Sequence, residues 1–403
     1  MNNYQVILGI ETSCDETAAA VLRKDGDQIR VLSNVVASSA KMQAEFGGII
    51  PEQAAREQLK AIIPVVETAL LQAMELSSYQ AIKLASFREK KDKASISKLL
   101  KSFVADEIDA IAVTYGPGLI GSLLIGVETA KTLALTWLKP LIPVNHLLGH
   151  FYANWIAEES RVKSQESSRN EIASGGDSDV HWTSSPRNDV AQEFSPPSFP
   201  CIGLLVSGGH TDLVLFEDHL KYKYLGGTRD DAAGECFDKC ARLMGLPYPG
   251  GPQISKLAKL GDASKIKLPK PMSSSGDFDF SFSGLKTAVA NSYKDIEQLS
   301  NGAEKDKFRA DLAAAVETTI IDVLIKKTIG AADKYGILQI MVAGGVAANE
   351  NLSAGLRRFP HVIVRNPQKI FCTDNGAMIA AAGFFTDAAI NPLSLQANPN
   401  LSL

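Results

Sequence analysis

Two histidines, His146 and His150, stand four residues apart in the run Asn145-His-Leu-Leu-Gly-His150. On a helix this spacing places both imidazoles on one face, with Cβ atoms about 5–6 Å apart, where one metal ion can bridge them. A chance pair is possible, but the chain has only six histidines. Two imidazoles leave coordination positions open, and Asp374 in Cys372-Thr-Asp-Asn-Gly-Ala377 is the candidate carboxylate. Imidazole with carboxylate suits iron or zinc.

The metalloprotease motif HExxH also separates two histidines by four residues, and its glutamate activates the attacking water. Here the residues between the histidines are Leu147, Leu148 and Gly149. The motif therefore contains no general base, and nothing in it supports peptide hydrolysis.

Two glycine-rich turns could meet an anionic ligand. Ser207-Gly-Gly-His210 lies between two predicted strands, and glycines let backbone N–H groups approach an anion without a Cβ in the way. A tight hairpin without a ligand is the alternative. Gly344-Gly-Val-Ala-Ala-Asn349 follows a buried strand and is predicted to open a helix, whose N-terminus could hold a nucleotide. Asn349 could instead serve only as the cap of that helix.

Two further segments carry glycines or acids. Gly116-Pro-Gly-Leu-Ile-Gly121 matches GxGxxG, but a dinucleotide site needs an acid about 20 residues later. That region reads Lys139-Pro-Leu141, so we predict a close-packed loop. Segment 230–251 is dense in charged residues and ends in Tyr248-Pro-Gly-Gly251, a predicted turn. Asp238 is predicted to lie on a helix in this segment.

Hydrophobic patterns predict the elements that position these groups. Strands are predicted at 4–10, 18–22, 28–38, 109–114, 199–206, 212–217 and 340–343, and helices at 53–74 and 121–138. Pro64 is expected to kink or split the first helix, because proline lacks an N–H group. Segments 6–22 and 202–216 both read as strand, small polar turn and strand. This weak repeat predicts two similar α/β lobes that face each other across a cleft.

Length and composition limit the class of protein. A chain of 403 residues favours two domains, and its net charge of −4 provides no overall field that attracts nucleic acid. Contact with nucleic acid would need a local patch or a partner subunit. No apolar run of about 18 residues predicts a membrane span, and the N-terminus resembles no signal peptide. The five scattered cysteines fit a reducing cytosol better than a disulfide framework.

Two segments have the composition of insertions. Segment 158–198 is rich in Ser, Asn, Asp and Pro and is predicted to be disordered, as a lid or as an idle surface loop. Segment 83–101 carries seven basic and two acidic residues. It is either a solvated helix face or a patch that binds phosphates.

Taken together, the motifs resemble those of the bacterial and organellar tRNA threonylcarbamoyladenosine transferase family, formerly described as glycoproteases. The resemblance covers nearly the whole chain except the two insertions. Eight motifs stand in the family's order: Gly9-Ile-Glu-Thr-Ser-Cys-Asp-Glu16, Asn145-His-Leu-Leu-Gly-His150, Leu205-Val-Ser-Gly-Gly-His-Thr211, Asp230-Asp-Ala-Ala-Gly-Glu-Cys-Phe-Asp-Lys239, Tyr248-Pro-Gly-Gly-Pro252, Phe280-Ser-Phe-Ser-Gly-Leu-Lys286, Ala343-Gly-Gly-Val-Ala-Ala-Asn349 and Cys372-Thr-Asp-Asn-Gly376.

The resemblance implies an α/β, actin- and Hsp70-like ATPase (ASKHA) fold with ribonuclease-H-like lobes. We expect an N-terminal lobe at 1–145, a C-terminal lobe at 146–373, and a segment 374–403 that returns to the first lobe. The implied activity is that of an acyltransferase. It moves the threonylcarbamoyl group of threonylcarbamoyl-AMP to N6 of adenosine 37, in tRNAs that read codons beginning with A.

The resemblance also implies roles for individual residues. The implied metal ligands are His146, His150 and Asp374, which would hold one divalent ion, Fe²⁺ in preference to Zn²⁺. The implied substrate contacts are Leu205, Val206, Ser207, Gly208, Gly209, Asp238, Gly251 and Asn349, with Ser255 where some members make a further contact. A base must take the proton of the adenine amine, and Asp15, Glu16 and His210 are the candidates.

The family resemblance also implies partners and a location. Beside tRNA, we expect a paralogous actin-like subunit that pairs through a helix of the N-terminal lobe, and a small P-loop ATPase. An organellar member would instead act as a homodimer. The expected location is the cytoplasm, without a membrane contact. A non-catalytic actin-like ATP-binding module is the main alternative function, and a metalloprotease is the weaker one.

Overall fold

A computed structural model of the chain describes residues 4–39, 50–76, 93–157, 195–294, 302–386 and 389–403, with positions 43, 48 and 296. Most of the insertion predicted at 158–198, and the first part of the one at 83–101, lie outside these residues. The chain divides into two compact units. The first comprises Met1–Lys41, Ile49–Pro196 and Asp374–Leu403, and the second comprises Met42–Gly48 and Pro197–Thr373.

Each unit has a five-stranded sheet, and the two sheets share one topology. The strands are β1 (Tyr4–Glu11), β2 (Glu16–Asp25), β3 (Gln28–Ser38), β4 (Ala110–Gly116), β5 (Leu141–Asn145), β6 (Cys201–Val206), β7 (Thr211–Asp218), β8 (Lys221–Gly227), β9 (Gln339–Ala343) and β10 (Ile363–Arg365). The orders are β3-β2-β1-β4-β5 and β8-β7-β6-β9-β10. In each sheet, three antiparallel strands are extended by two parallel strands. The predicted repeat is confirmed, and with it the α/β class with ribonuclease-H-like units.

The helices that are described from end to end surround these sheets. They are α1 (Pro51–Leu76), α2 (Lys93–Glu107), α3 (Ile120–Trp137), α4 (His146–Tyr152), α5 (Ala233–Leu243), α6 (Gly250–Ala258), α7 (Ser283–Lys294), α8 (Gly302–Tyr335), α9 (Glu350–Leu356) and α10 (Gly376–Gly383). Among the residues that the structure describes, no helix is both long and apolar enough to cross a bilayer.

Helix α1 runs through Pro64 without a break, so the predicted split of this helix is wrong. Proline removes one backbone donor, which leaves the carbonyl group of Lys60 without its helical partner. Pro64 lies on the exposed side of the helix, where water can bind that carbonyl group. The Thr68 hydroxyl donates to the Pro64 carbonyl oxygen at 2.7 Å, which adds a bond within the next turn.

Helix α10 lies directly on the first sheet because two glycines allow the close approach. A Cβ atom at Gly9 on β1 would overlap the carbonyl oxygen of Gly376, and one at Gly376 would lie 2.5 Å from the backbone nitrogen of Ala20. All eight residues of α10 are buried. Asp374 stands two residues before this helix, so the packing of α10 fixes where its carboxylate lies.

Close packing also explains the glycines of segment 116–121. A Cβ atom at Gly116 would overlap the carbonyl oxygen of Asn398, and one at Gly118 would overlap that of Ser13. The backbone N–H of Leu119 donates to the same Ser13 oxygen at 2.7 Å. The prediction of a close-packed loop is confirmed.

Candidate metal centre and donor site

Helix α4 of the first unit presents His146 and His150 on one face. Its N-cap is Asn145, whose Oδ1 accepts the backbone N–H of Leu147 at 2.8 Å. His150 lies four positions after His146, and their ring centroids are 4.7 Å apart. Both rings are buried, with residue exposures of 8% and 2%. Between them, Gly149 packs against α10, where a Cβ atom would stand 2.7 Å from Cδ1 of Ile379.

The carboxylate of Asp374 completes the group that the sequence predicted. Its Oδ1 lies 3.2 Å from Nε2 of His150 and 3.7 Å from Nε2 of His146. The three candidate ligand atoms all lie within 4.8 Å of one another. Ligands about 2.0–2.2 Å from one tetrahedral ion stand roughly 3.4 Å apart. The spacing therefore fits a single ion without a change of fold.

Glu11 supports the group from behind, and the sequence analysis missed it. It is fully buried on β1, and its Oε2 accepts the Nδ1–H of His146 at 3.0 Å. The Thr114 hydroxyl and the Ser13 backbone N–H also donate to this carboxylate. A carboxylate on Nδ1 fixes the tautomer and leaves Nε2 free to bind a metal. The feature of the sequence that could have identified Glu11 is a single acid at the end of an apolar strand.

Negative charge accumulates around these histidines. Burial alone would lower the pKa of His146, but the carboxylates of Glu11 and Asp374 outweigh it and raise the pKa to about 9. Burial, and then the carboxylates of Asp15 and Asp374, raise the pKa of Glu16. Burial, followed by the same neighbouring acids, also raises the pKa of the Cys14 thiol. A divalent cation would offset this surplus of negative charge.

One further observation, on the ring nitrogens of His150, indicates that these residues fit a bound metal. Neither ring nitrogen of His150 has a hydrogen-bond partner among the described residues, although both are buried. The contact of its Nε2 with Asp374 is close but not aligned as a hydrogen bond. An unpaired buried nitrogen is costly, and a metal ion on Nε2 would satisfy that atom.

The candidate bases lie in different units. Asp15 is buried in the turn after β1, and Glu16 begins β2, where its Oε1 accepts the Ser38 hydroxyl at 3.2 Å. Both belong to the first unit, together with the candidate metal ligands. His210 belongs to the second unit, in the turn between β6 and β7.

In the second unit, the Ser207–His210 turn is a tight hairpin with an open tip. The Ser207 N–H donates to the His210 carbonyl oxygen at 2.9 Å, and the His210 N–H donates to the Ser207 hydroxyl at 3.1 Å. A Cβ atom at Gly208 or Gly209 would meet nothing within 4 Å, and both residues are exposed. Leu205 and Val206, just before the turn, are fully buried in β6. The turn therefore has both the hairpin geometry and the space for a ligand.

Two other glycine-bearing segments approach the same turn. The Gly234 N–H, at the start of α5, donates to the Ser207 carbonyl oxygen at 3.1 Å, and a Cβ atom there would lie 2.5 Å from that oxygen. At the end of β9, a Cβ atom at Gly344 would lie 2.5 Å from the Val206 carbonyl oxygen, and its φ is +89°. Ligands of open α/β sheets bind at such carboxyl ends of strands.

Asp238 links α5 to the start of α6. Its Oδ1 accepts the backbone N–H of Gly250 at 2.6 Å. Burial raises the pKa of Asp238, and the N–H groups of Gly250 and Gly251 partly oppose that rise. The predicted helical position of Asp238 is confirmed. The predicted turn at Gly250 and Gly251 is instead the first turn of α6, which Asp238 holds in place.

Asn349 caps α9 and also joins a partly buried hydrogen-bond network. Its Oδ1 accepts the N–H groups of Asn351 and Leu352 at 2.9 and 3.1 Å. Its Nδ2 donates to the Ser255 hydroxyl oxygen at 3.1 Å and to Oε1 of Glu317 at 2.7 Å. The cap is present, and the remaining amide contacts fix the orientation of the side chain.

Glu317 is the second residue that the sequence analysis missed. It is 5% exposed on the long helix α8, and it accepts the Ser255 hydroxyl at 2.6 Å. Its other oxygen accepts Nδ2 of Asn351 at 2.9 Å. Glu317 thus binds Ser255 and Asn349 together, although about 60 and 30 residues separate it from them along the chain.

Comparisons with known proteins agree with this combination of fold and site. The family model described as "TsaD: tRNA N6-adenosine threonylcarbamoyltransferase" matches residues 30–85, 93–190 and 188–381. Among curated relatives, a tRNA N6-adenosine threonylcarbamoyltransferase of Thermomicrobium roseum is 42% identical over 395 residues, covering 94% of this chain and 91% of that protein. One of Geobacillus kaustophilus is 41% identical over 409 residues, covering 100% and 98%.

A solved structure supports the fold class alone. The crystal structure of T. kodakarensis HypF aligns with 95% of this chain and 47% of its own, with a TM-score of 0.50 and 12% identity. The two α/β units define a protein of the actin-like class. Within that class, the chain belongs to the TsaD family of tRNA N6-adenosine threonylcarbamoyltransferases. The predicted family is confirmed, and neither a metalloprotease nor a non-catalytic ATP-binding module is favoured.

Proposed function

We propose that this protein transfers the threonylcarbamoyl group of threonylcarbamoyl-AMP to N6 of adenosine 37, in tRNAs that read codons beginning with A. The observation that carries the proposal is the cluster of the buried His146 and His150 with the partly exposed Asp374, in which Glu11 binds His146, in a chain of this family. An exocyclic adenine amine is a weak nucleophile, because its lone pair is delocalised into the ring. The donor must therefore be activated, and an acyl-adenylate provides AMP as a good leaving group.

The first unit is assigned the metal. His146, His150 and Asp374 would hold one divalent ion, and their imidazole and carboxylate groups suit both Fe²⁺ and Zn²⁺. Of the two ions, we propose Fe²⁺ in preference to Zn²⁺. When bound, the ion supplies Lewis acidity that polarises and orients the threonylcarbamoyl oxygens. Glu11 holds the ring of His146 in the tautomer that presents Nε2.

The second unit is assigned the donor. The backbone N–H groups of Gly208 and Gly209, at the open tip of the turn that Ser207 closes, would meet the phosphate or the developing oxyanion. The proposed contacts with the rest of the donor come from this turn's neighbours, Leu205 and Val206, and from Asp238, Gly251, Ser255 and Asn349. The network around Glu317 supports the last two by fixing their side chains.

The reaction needs a base that takes the proton of the adenine amine. Asp15, Glu16 and His210 remain the three candidates. Burial and the carboxylates of Asp15 and Asp374 raise the pKa of Glu16, so its carboxylate binds a proton more readily than that of a free glutamate. The variants Asp15→Asn, Glu16→Gln and His210→Ala test the candidates one at a time. A variant that keeps the full transfer rate and unchanged donor binding would exclude its residue as the base.

Two protein partners belong to the proposal, a paralogous actin-like subunit and a small P-loop ATPase, and all three would work in the cytoplasm. An apolar surface on α1 and α3 supports the first partner. Leu59 and Ile63 on α1 are 66% and 56% exposed, and Ile120 and Leu124 on α3 are 50% and 44% exposed. The two helices pack against each other at Ala55. Exposed apolar patches of this kind are typical of subunit interfaces.

Mass spectrometry of tRNA nucleosides tests the proposed reaction. Unmodified tRNA is incubated with this protein, its partners, threonine, bicarbonate, ATP and the synthase that makes the donor. We expect N6-threonylcarbamoyladenosine to form at position 37, and to be lost with His150→Ala. Absence of the product with every component supplied would reject the proposed reaction.

A further inference from the structure

A strip of lysines follows the proposed donor site along the chain. Segment 256–270, the lysine strip, contains five lysines and one acid, in a chain whose net charge is −4. All five side chains belong to exposed residues: Lys256, Lys259, Lys265, Lys267 and Lys270. Charge of one sign is therefore concentrated on a short segment of an otherwise slightly acidic protein.

Most of this charge is not neutralised. Lys270 Nζ lies 2.5 Å from a carboxylate oxygen of Asp322, and Lys259 Nζ lies 3.9 Å from one of Glu350. The other three lysines have no carboxylate within 4.0 Å among the described residues. The acid within the strip, Asp262, accepts the N–H and hydroxyl groups of Ser264, and these bonds lower its pKa together with the nearby charges of Lys265 and Lys307.

The lysine strip begins at the edge of the proposed donor site. Helix α6 starts at Gly250, carries Gly251 and Ser255, and continues directly into Lys256. Lys259 caps the C-terminal end of the same helix. A ligand that reaches both the donor and the strip would therefore follow one helix and the segment after it, all within the second unit.

The acceptor substrate has the complementary charge. Adenosine 37 is one nucleotide of a polyanion, and phosphate contacts are what fix the register of a nucleic acid on a protein. Lysine acts as a compact point charge that binds phosphate without reading sequence. We infer that the lysine strip binds the sugar-phosphate backbone of tRNA beside the acceptor adenosine. This inference rests on the proposed function, because only that function places a tRNA at the donor site.

The test removes the three unpaired charges and compares them with three others. One variant combines Lys256→Gln, Lys265→Gln and Lys267→Gln. The matched control combines Lys223→Gln, Lys326→Gln and Lys334→Gln, which are also exposed and lie elsewhere in the second unit. Both variants change the net charge by the same amount. The full-length chain and unmodified tRNA are used throughout, with its partners present in the transfer assay.

Two readouts separate the inference from the function on which it rests. Each phosphate contact contributes about 0.7–0.9 to the slope of log affinity against log salt. For the strip variant, we expect the magnitude of this slope to fall by about 2–3. We also expect it to bind tRNA on the order of 10- to 100-fold more weakly at about 0.1 M salt. Its KM for tRNA should rise, while its KM for the donor and its kcat at saturating tRNA stay unchanged.

The control variant should bind tRNA as the unchanged protein does. Equal binding by the strip variant and the unchanged protein would overturn the inference, as would an equal loss in both variants. If the unchanged protein itself makes no product, the proposed function fails instead. The two failures are therefore distinguishable within one set of measurements.

Discussion

Replacement of Glu317 by alanine should weaken donor binding indirectly, because Glu317 acts through Ser255 and Asn349 and need not contact the donor itself. The carboxylate accepts hydrogen bonds from Ser255 at 2.6 Å, from Asn349 at 2.7 Å and from Asn351 at 2.9 Å. Without it, the side chains of Ser255 and Asn349 lose the acceptor that fixes their orientation. Each would have to be ordered again when the donor binds.

The expected size follows from these contacts. Ordering a side chain at a binding site costs about 0.5–1.5 kcal/mol, so two of them amount to about 1–3 kcal/mol, or roughly a 5- to 150-fold rise in the KM for the donor. Hydrogen bonds to a charged group contribute about 1.5–3 kcal/mol each. The alanine variant no longer has to bury a charged carboxylate, and this gain offsets part of the lost hydrogen bonding. We therefore expect the free energy of unfolding to fall by about 2–4 kcal/mol.

Glu317→Gln is the matched control. The amide oxygen of glutamine still accepts from Ser255 and Asn349, but its NH₂ group faces the Nδ2 donor of Asn351. One of three hydrogen bonds is lost, so the KM for the donor should change only a few-fold. The measurements are KM and kcat for threonylcarbamoyl-AMP at saturating tRNA, with thermal unfolding of both variants. A fall in stability without any rise in the KM of Glu317→Ala would refute the positioning role.

Three further changes test the metal centre. Asp374→Asn should reduce the metal that co-purifies with the protein, measured by elemental analysis, because a carboxylate ligand is removed while the fold is kept; full metal content would show that Asp374 is no ligand. Glu11→Gln should lower metal affinity about 10- to 100-fold, since the partner of His146 Nδ1 loses its charge; titration with Fe²⁺ or Zn²⁺ that gives an unchanged Kd would contradict this. Gly9→Ala should reduce the free energy of unfolding by about 1–3 kcal/mol and also the metal content, because its Cβ atom forces α10 away from β1. Denaturant unfolding and elemental analysis measure both, and an unchanged metal content would separate α10 packing from the position of Asp374.

Local patterns in the sequence were sufficient for seven of the ten described strands, for helices α1 and α3, and for the pair of histidines. The hairpins in segments 6–22 and 202–216 follow from apolar runs separated by small polar turns, and both are present as antiparallel pairs. The helical spacing of His146 and His150 also holds, because α4 covers both. Asp374 came from the family resemblance, since no local pattern joins it to residues more than 200 positions away.

The two missed residues are buried acids, and hydrophobic periodicity identifies buried apolar positions but not buried acids. The predicted strand ends at residue 10, one position before Glu11, and no helix is predicted over 302–335, where Glu317 lies on α8. A buried carboxylate is costly unless other groups donate hydrogen bonds to it. Each of these acids therefore indicates an unseen set of donors. For Glu11 the set includes His146, and for Glu317 it includes Asn349. An isolated acid within a buried run is thus a sign of a nearby polar site, even when the sequence does not say which distant residues complete it.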